Sequence, residues 1–148
     1  AIAITPNVAI TRYNLARALA KGGDLDEAIS EYRRALSIEP EDFEIHNNLG
    51  LLLLNQGQVD QAAEHLVEAV RLNPEYAKGH FNLGKIYLRK ARLNEAAESF
   101  EKALKLEPQS AEIHENLGRT LMMQGKKEQA AAHLAEALII LKLQRLPS

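Results

Sequence analysis

One pair of residues returns along the chain at a constant interval. Asparagine followed by leucine occurs at Asn14, Asn48, Asn82 and Asn116, and each occurrence lies 34 residues after the one before. The repeats that this interval defines run 9–42, 43–76, 77–110 and 111–144, with no insertion or deletion. A period of this length is typical of stacked supersecondary units, each burying its apolar face on its neighbours. We therefore expect a repeat array rather than a domain built around one central core.

Two kinds of residue mark the places where helices end within each repeat. Glycine adopts a left-handed backbone at little cost, so the first helix of a repeat is expected to stop there. The turn residues are Gly23, Gly57 and Gly125, with Ala91 in the third repeat. Proline has no N–H and clashes with the preceding turn, so the second helix is expected to stop before it. The closing prolines are Pro40, Pro74 and Pro108, with Lys142 in the fourth repeat.

Small and large residues recur where the two helices of a repeat are expected to cross. The small residues are Ala16, Gly50, Gly84 and Gly118. The large residues are Tyr32, Leu66, Phe100 and Leu134. A small residue lets two helix backbones approach closely, and a large one fills the adjoining hole. The pattern therefore predicts one tightly packed helical hairpin in each repeat.

These small, large and turn residues at a 34-residue period resemble the tetratricopeptide repeat, and the resemblance covers essentially the whole chain. It implies an all-α fold, a right-handed α-solenoid (superhelix) of antiparallel helix-turn-helix repeats, as a single domain over residues 1–148. The sequence departs from the family near the start of each repeat, where a tryptophan is usual. Arg12, His46, His80 and His114 stand there instead, and we interpret the histidines as packing residues.

The two ends of the chain are apolar. Residues 1–8 are in register with the close of a repeat, so we expect them to be the tail of a preceding repeat in a longer parent chain. The last helix is expected to extend to about residue 146. Each unit of a solenoid buries its face on the next one, so these ends predict stacking on another partner, including a possible homo-oligomer. The apolar residues are Ile2, Ile4, Ile140, Leu141 and Leu143.

Composition narrows the classes of function. A formal charge of −2 gives no overall attraction to nucleic acid or anionic membranes, and neither partner is expected. No stretch approaches the roughly 18 apolar residues of a membrane-spanning helix. Cysteine is absent, and the histidines lack the close spacing of a helical zinc motif. No catalytic grouping or cofactor motif is recognisable, so we expect no enzyme activity, cofactor or metal. The sequence favours a cytoplasmic location.

The first helix of each repeat has a second face, opposite its packed side, at about 100° per residue. Stacked repeats are expected to align these faces into a surface that resembles the peptide-binding groove of the family. The candidate groove residues are Asn14, Arg17, Asn48, Leu51, Lys78, Phe81, Asn82, Lys85, Arg89, Asn116 and Arg119. Six residues on this face are basic: Arg17, Lys21, Lys78, Lys85, Arg89 and Arg119. They outnumber the three acidic residues Glu44, Glu112 and Glu115. We therefore expect a peptide partner of acidic character, the alternative being a merely solvated basic face.

The four repeated asparagines form a column on this second face. An amide both donates and accepts hydrogen bonds, so such a column could hold the backbone of an extended peptide. The column resembles the asparagine ladder of O-linked N-acetylglucosamine transferase, although the amides could instead bond neighbouring helices. Of the residues that form the carboxylate clamp of the family, only Asn48 and Lys78 are present here, so we do not expect this chain to have that clamp.

The sequence as a whole predicts a non-catalytic protein–protein interaction module that binds a peptide segment of a partner. Two alternatives remain open at this point. The repeats could be the substrate-recruiting arm of a larger enzyme such as a glycosyltransferase, or they could associate with themselves through their apolar ends.

Overall fold

The structure, a computed structural model, describes residues 4–147, and in this range it contains α-helices and no strands. The helices are α1 (Ile4–Gly22), α2 (Leu25–Ile38), α3 (Phe43–Asn55), α4 (Val59–Leu72), α5 (Ala77–Arg89), α6 (Leu93–Leu106), α7 (Ala111–Met123) and α8 (Lys127–Gln144). Consecutive helices pack as hairpins, α1 with α2, α3 with α4, α5 with α6 and α7 with α8. The all-α helical-repeat class expected from the sequence is confirmed.

The chain divides into two compact units, residues 1–74 and 75–148. In the first unit, α3 packs on both α2 and α4. In the second unit, α7 packs in the same way on both α6 and α8. A second hairpin thus continues the packing of the first within each unit.

The turn inside each hairpin has the same geometry in all four repeats. The glycines at this position have positive φ, +92° at Gly23 and +80° at Gly57 and Gly125. Ala91 in the third repeat also lies in the left-handed region, at φ +56°. In each turn the next N–H reaches back to a carbonyl of the first helix, as Arg92 does to Tyr87 at 2.8 Å. This bond is typical of a helix that ends at a left-handed residue, as the sequence predicted.

The crossing of the two helices in each hairpin follows the expected pairing of small and large residues. A Cβ atom added to Gly50 would lie 2.7 Å from Leu66, and one added to Gly118 would lie 2.8 Å from Leu134. At Gly84 the same atom would lie 2.6 Å from the ring of Phe100. These separations are shorter than any ordinary carbon–carbon contact, so only glycine permits the observed approach.

Side-chain caps begin α3 and α7. The carboxylate of Asp42 accepts hydrogen bonds from the backbone N–H groups of Glu44 and Ile45, at 2.9 and 3.1 Å. The hydroxyl of Ser110 accepts one from the N–H of Ile113 at 3.3 Å. Caps of this kind satisfy donors that have no partner inside the helix.

The ends of the chain differ in detail from the expectations. Residues 1–3 lie outside the described range, as does Ser148. From Ile4 the chain is already part of α1, and Pro6 falls in the first turn of that helix, where proline is tolerated. At the other end, α8 stops at Gln144, about half a turn earlier than expected. Among the described residues, no helix is both long and apolar enough to cross a membrane.

Candidate functional site

In the first unit, a short network of polar side chains joins α1 and α3. The amide of Asn48 donates to the hydroxyl of Tyr13 at 3.1 Å, and that hydroxyl donates to the Glu44 carboxylate at 3.3 Å. The Asn48 carbonyl oxygen accepts from the amide of Asn47 at 3.3 Å. Burial, reinforced by the charge of Glu44, raises the pKa of Tyr13, so its phenol stays a neutral donor. The network fixes the orientation of Asn48.

A cleft of about 360 Å³ lies beside this network, between α1, α2 and α3. Its basic side chains are Arg17 and Lys21, and its amides are those of Asn48 and Asn55. Tyr32 and apolar residues such as Leu51 form the rest of its lining. Burial raises the pKa of Tyr32 to about 12, so this ring also stays uncharged at neutral pH. The cleft offers positive charge, amides and apolar surface together.

In the second unit, α5 carries an aromatic and cationic cluster. The ring of Phe81 packs against that of Phe100, with centroids 5.6 Å apart. The ammonium of Lys85 lies 5.5 Å from the centre of the Phe81 ring, within the range of a cation–π contact. Phe81 is half-buried and its outer surface, with Lys85, remains accessible. An apolar contact and a positive charge are therefore adjacent on this helix.

The structure places the remaining candidate residues in different surroundings. The exposed ones are Asn14, Lys78, Arg89 and Arg119. Arg17 is also exposed, and its guanidinium lies 5.6 Å from the centre of the Tyr13 ring. In the first unit, the structure brings Arg17, Asn48 and Leu51 together around one cleft. In the second unit, it brings Phe81 and Lys85 together.

The four asparagines of the column are not equivalent. Asn14 is exposed, Asn48 is held by Tyr13, and Asn82 is buried with only 5% of its surface accessible. Asn116 donates to the backbone carbonyl of Glu112 on its own helix at 2.9 Å. The same register position therefore offers a ligand different numbers of free donors and acceptors in the four repeats.

Sequence reasoning missed a set of polar contacts that join the two helices of a repeat. In the first repeat, Arg12 on α1 forms an ion pair with Glu31 on α2 at 2.8 Å. In the second repeat the same two positions hold His46 and His65, whose Nδ1 atoms are 3.1 Å apart. We call these two positions the cross-helix slot. The signal was available, because the two positions lie 19 residues apart in each repeat, and Arg12 with Glu31 are of opposite charge.

The fourth repeat has the same histidine arrangement as the second. The Nδ1 atoms of His114 and His133 are also 3.1 Å apart. Within the described residues, however, no three histidine, aspartate or glutamate side chains converge closely enough to hold a metal ion. The expected burial of His46, His80 and His114 is confirmed.

The chain matches the sequence profiles of a known protein family. The profile of the tetratricopeptide repeat matches residues 47–100 and 81–144, and a second profile described as TPR repeat matches residues 16–57. The chain belongs to the tetratricopeptide repeat family. Domains of this family are protein–protein interaction modules, and the family supports that function for this chain. No curated protein sequence matches the chain.

Solved structures with tetratricopeptide repeats superpose well on this chain. A MamA double mutant (strain RS-1) is 26% identical with a TM-score of 0.87, over 95% of this chain and 79% of that one. MamA from Desulfovibrio magneticus RS-1, from residue 41 onward, is 25% identical with a TM-score of 0.85, over 93% and 78%. The first TPR of Spaghetti (RPAP3), bound to the HSP90 peptide SRMEEVD, has a TM-score of 0.78 and 24% identity, over 80% and 94%. The last likeness concerns the fold alone.

Proposed function

We propose that this protein binds an acidic peptide segment of a partner protein on the open faces of its first helices. The observation that carries the proposal is the cleft between α1, α2 and α3, where Arg17 and Lys21 stand beside amides and apolar side chains. Peptide-binding sites combine these features, because charge selects the ligand, amides bond its backbone and apolar surface holds its side chains.

The charges on these faces favour an acidic ligand. In the first unit, Arg17 and Lys21 line the cleft, while the nearby carboxylate of Glu44 already accepts a hydrogen bond from Tyr13. In the second unit, α5 presents Lys78, Lys85 and Arg89 and has no acidic residue. A cationic side chain that bonds a carboxylate forms a stronger hydrogen bond than a neutral pair does.

In the first unit Asn48 serves as the backbone-binding part of this site, and Asn82 is its counterpart in the second unit. The Asn48 amide bonds Tyr13 and Tyr32, and its carbonyl oxygen accepts from Asn47, so a second lone pair of that oxygen remains to accept from a peptide N–H. The network with Tyr13 holds this amide in place before the ligand arrives, which lowers the entropy lost on binding. We expect Asn48 to contribute more than the exposed Asn14.

A fluorescence-polarisation titration tests the proposal. The probes are the acidic peptide SRMEEVD and its counterpart SRMQQVN, which lacks the three acidic side chains and has no net charge, each labelled at the amino terminus. We expect the acidic probe to bind more tightly and to lose affinity as salt is raised. Arg17→Ala with Lys21→Ala should weaken it by about tenfold or more, since each charged hydrogen bond contributes roughly 1.5–3 kcal/mol.

The matched control removes two positive charges elsewhere. Lys105→Ala with Lys127→Ala changes exposed residues on α6 and α8, outside the proposed site, by the same net charge. Equal weakening by both pairs of substitutions would show that net charge, and not the cleft, attracts the peptide. Asn48→Ala with Asn82→Ala should abolish binding at unchanged helical content, and retained binding would remove the asparagines from the site.

A second candidate function, self-association, is favoured by comparing α1 and α8 with their repeat equivalents. In the second unit Leu117 on α7 is 1% exposed, because α7 packs on α6. Its equivalent on α1, Leu15, is 46% exposed. On α6, Leu104 packs against the core cluster that contains Leu117, whereas its equivalent on α8, Leu138, is 60% exposed. The exposed faces of α1 and α8 therefore correspond, by repeat position, to the surfaces that α7 and α6 bury against each other.

We infer from this equivalence that α8 of one copy packs on α1 of another, head to tail, as α6 packs on α7. Relative to α7 and α6, α1 starts earlier and α8 ends later, both at the side where a loop joins α6 to α7. The extra turns of the two helices would therefore run side by side and enlarge the contact.

Analytical ultracentrifugation over a concentration series tests this arrangement. We expect the wild-type chain to associate, and Leu15→Glu and Leu138→Glu each to be monomeric. A mixture of the two variants should form a dimer, because one retains an intact α8 face and the other an intact α1 face. Val67→Glu, at a similarly exposed apolar residue on α4, is the control and should associate like the wild type. A monomeric wild type, or a mixture that stays monomeric, would refute head-to-tail packing.

A further inference from the structure

Two of the four cross-helix slots hold a pair of histidines with nearly identical geometry. The Nδ1–Nδ1 distance is 3.1 Å in both, and the ring centroids are 5.3 Å apart in both. In each pair, Nε2 of the first histidine lies close to a proline carbonyl oxygen, 2.8 Å from Pro40 for His46 and 3.0 Å from Pro108 for His114. The arrangement is thus built twice, once in each unit.

The proline carbonyl fixes the protonation of the first ring. A carbonyl oxygen only accepts, so Nε2 of His46 carries the proton and donates it to Pro40. In the neutral ring, Nδ1 of His46 is then a bare lone pair that faces Nδ1 of His65. A histidine that binds a metal characteristically has this form, with one nitrogen donating to a backbone carbonyl and the other free to coordinate.

We propose that the pairs His46–His65 and His114–His133 are binding sites for a divalent transition-metal ion of the zinc type. Zinc–nitrogen bonds are about 2.0–2.1 Å, so two ring nitrogens on one tetrahedral ion lie roughly 3.3 Å apart. The observed 3.1 Å between the nitrogens is close to this separation. Without the ion, Nδ1–H of a neutral His65 donates to Nδ1 of His46; when the ion binds both Nδ1 atoms, that proton moves through water to Nε2 of His65.

A carboxylate stands one helical turn beyond the second histidine in these two repeats and not in the others. The residue is Glu68 in the second repeat and Glu136 in the fourth. At the same position the first repeat has Arg34, and the third has Lys102. A carboxylate therefore accompanies the histidine pair in sequence in both repeats, although it does not converge with the two rings in this structure. Glu68 forms an ion pair with Arg71 in this structure, so the two ring nitrogens are the protein ligands of the proposed site. With two ring nitrogens and water as the available ligands, each proposed site is an open one.

Zinc titration of chelator-stripped protein by isothermal calorimetry tests the proposal. We expect two ions per chain for the wild type, one for His65→Ser or His133→Ser alone, and none for the two substitutions together. Serine is chosen because the third repeat already has Ser99, buried, at this position. His80→Ser, in the repeat without a second histidine, is the control and should leave two ions bound. Far-UV circular dichroism verifies that each variant is folded.

A second measurement does not depend on variants. In ¹⁵N-detected imidazole spectra of the wild type, zinc should shift the Nδ1 resonances of His46, His65, His114 and His133 and leave those of His80 unchanged. Undiminished zinc binding by the variant that lacks both His65 and His133 would overturn the proposal. A wild type without saturable zinc binding, or with equal shifts in all five histidines, would overturn it as well.

Discussion

The close approach of α5 and α6 at Gly84 and Phe100 gives a quantitative test of the packing. A Cβ atom on residue 84 would lie 2.6, 2.7 and 2.9 Å from three atoms of the Phe100 ring. The optimal separation of two carbon atoms is about 3.5–4.0 Å. The ring is 0% exposed and also packs against Phe81, so it has little room to move away. Gly84→Ala therefore forces α5 and α6 apart.

The expected cost follows from two opposing contributions. Overpacking a filled core costs about 1–3 kcal/mol. Alanine in the middle of a helix is favoured over glycine by about 1 kcal/mol, which offsets part of that cost. We expect Gly84→Ala to lower the free energy of unfolding by up to roughly 2 kcal/mol, as the balance of these two terms. Urea unfolding followed by circular dichroism measures it.

A double-mutant cycle with Phe100→Ala separates the clash from other effects. Phe100→Ala alone should cost about 3–5 kcal/mol, because it empties a fully buried site. In that background Gly84→Ala should be stabilising, since the ring is gone and only the helix preference remains. Gly22→Ala is the control in the wild-type background. Its Cβ would meet only Asp24 at 3.7 Å, an ordinary contact, so it should stabilise. An equal cost of Gly84→Ala with and without the ring would refute the reasoning.

Three further perturbations follow from the turns, the caps and the cross-helix slot. Ala91→Gly should raise the free energy of unfolding by roughly 0.5–1 kcal/mol in urea melts, since it relieves a left-handed alanine at φ +56°; a loss would contradict this. Asp42→Ala should lower the free energy of unfolding by about 1 kcal/mol, because it removes a helix cap. Gln58→Ala, at an N-cap position whose side chain does not bond the helix backbone, should lower it little, and equal effects would count against the cap. Burial alone would raise the pKa of Glu31, but its two arginine partners outweigh it and lower that pKa below 4.5. Its contribution to stability is therefore present above pH 4.5 and lost as the pH falls through the folded-state pKa, so urea midpoints of Glu31→Gln should fall less in acid than those of the wild type.

The sequence predicted those parts of the fold that depend on local spacing. A glycine that must adopt positive φ, or that must admit a neighbouring helix, recurs at the same repeat position, so comparison of the repeats reveals it. Ala91 was recognised as a substitute for a turn glycine, and its φ of +56° shows that the hairpin imposes the turn even on alanine. The 34-residue period therefore predicted the hairpins, their turns and their crossing points.

The candidate site was less accessible to the same reasoning. Register places Asn48, Asn82 and Asn116 at one position, but their environments depend on residues that do not repeat. Asn48 bonds Tyr13 of the preceding repeat, whereas the position of Tyr13 holds Asn47 and Phe81 in the next two repeats. Asn116 bonds a carbonyl of its own helix. A period in the sequence predicts where a side chain lies and not which of its hydrogen bonds are already made.

The cross-helix slot shows that the repeats, although alike in backbone, are not chemically interchangeable. Their shared geometry brings two polar side chains together between the helices of a hairpin, where an unpaired polar group would be costly. The first repeat meets this requirement with Arg12 and the buried carboxylate of Glu31, an ion pair that acid disrupts. The second meets it with His46 and His65, whose Nδ1 atoms lie within hydrogen-bond distance. Because glycine contacts and turns fix the backbone of each hairpin, this slot can vary in chemistry without changing the fold. Such variation changes the polar chemistry between the two helices of a repeat and leaves the opposite face of the first helix, which we propose binds peptide, unaltered.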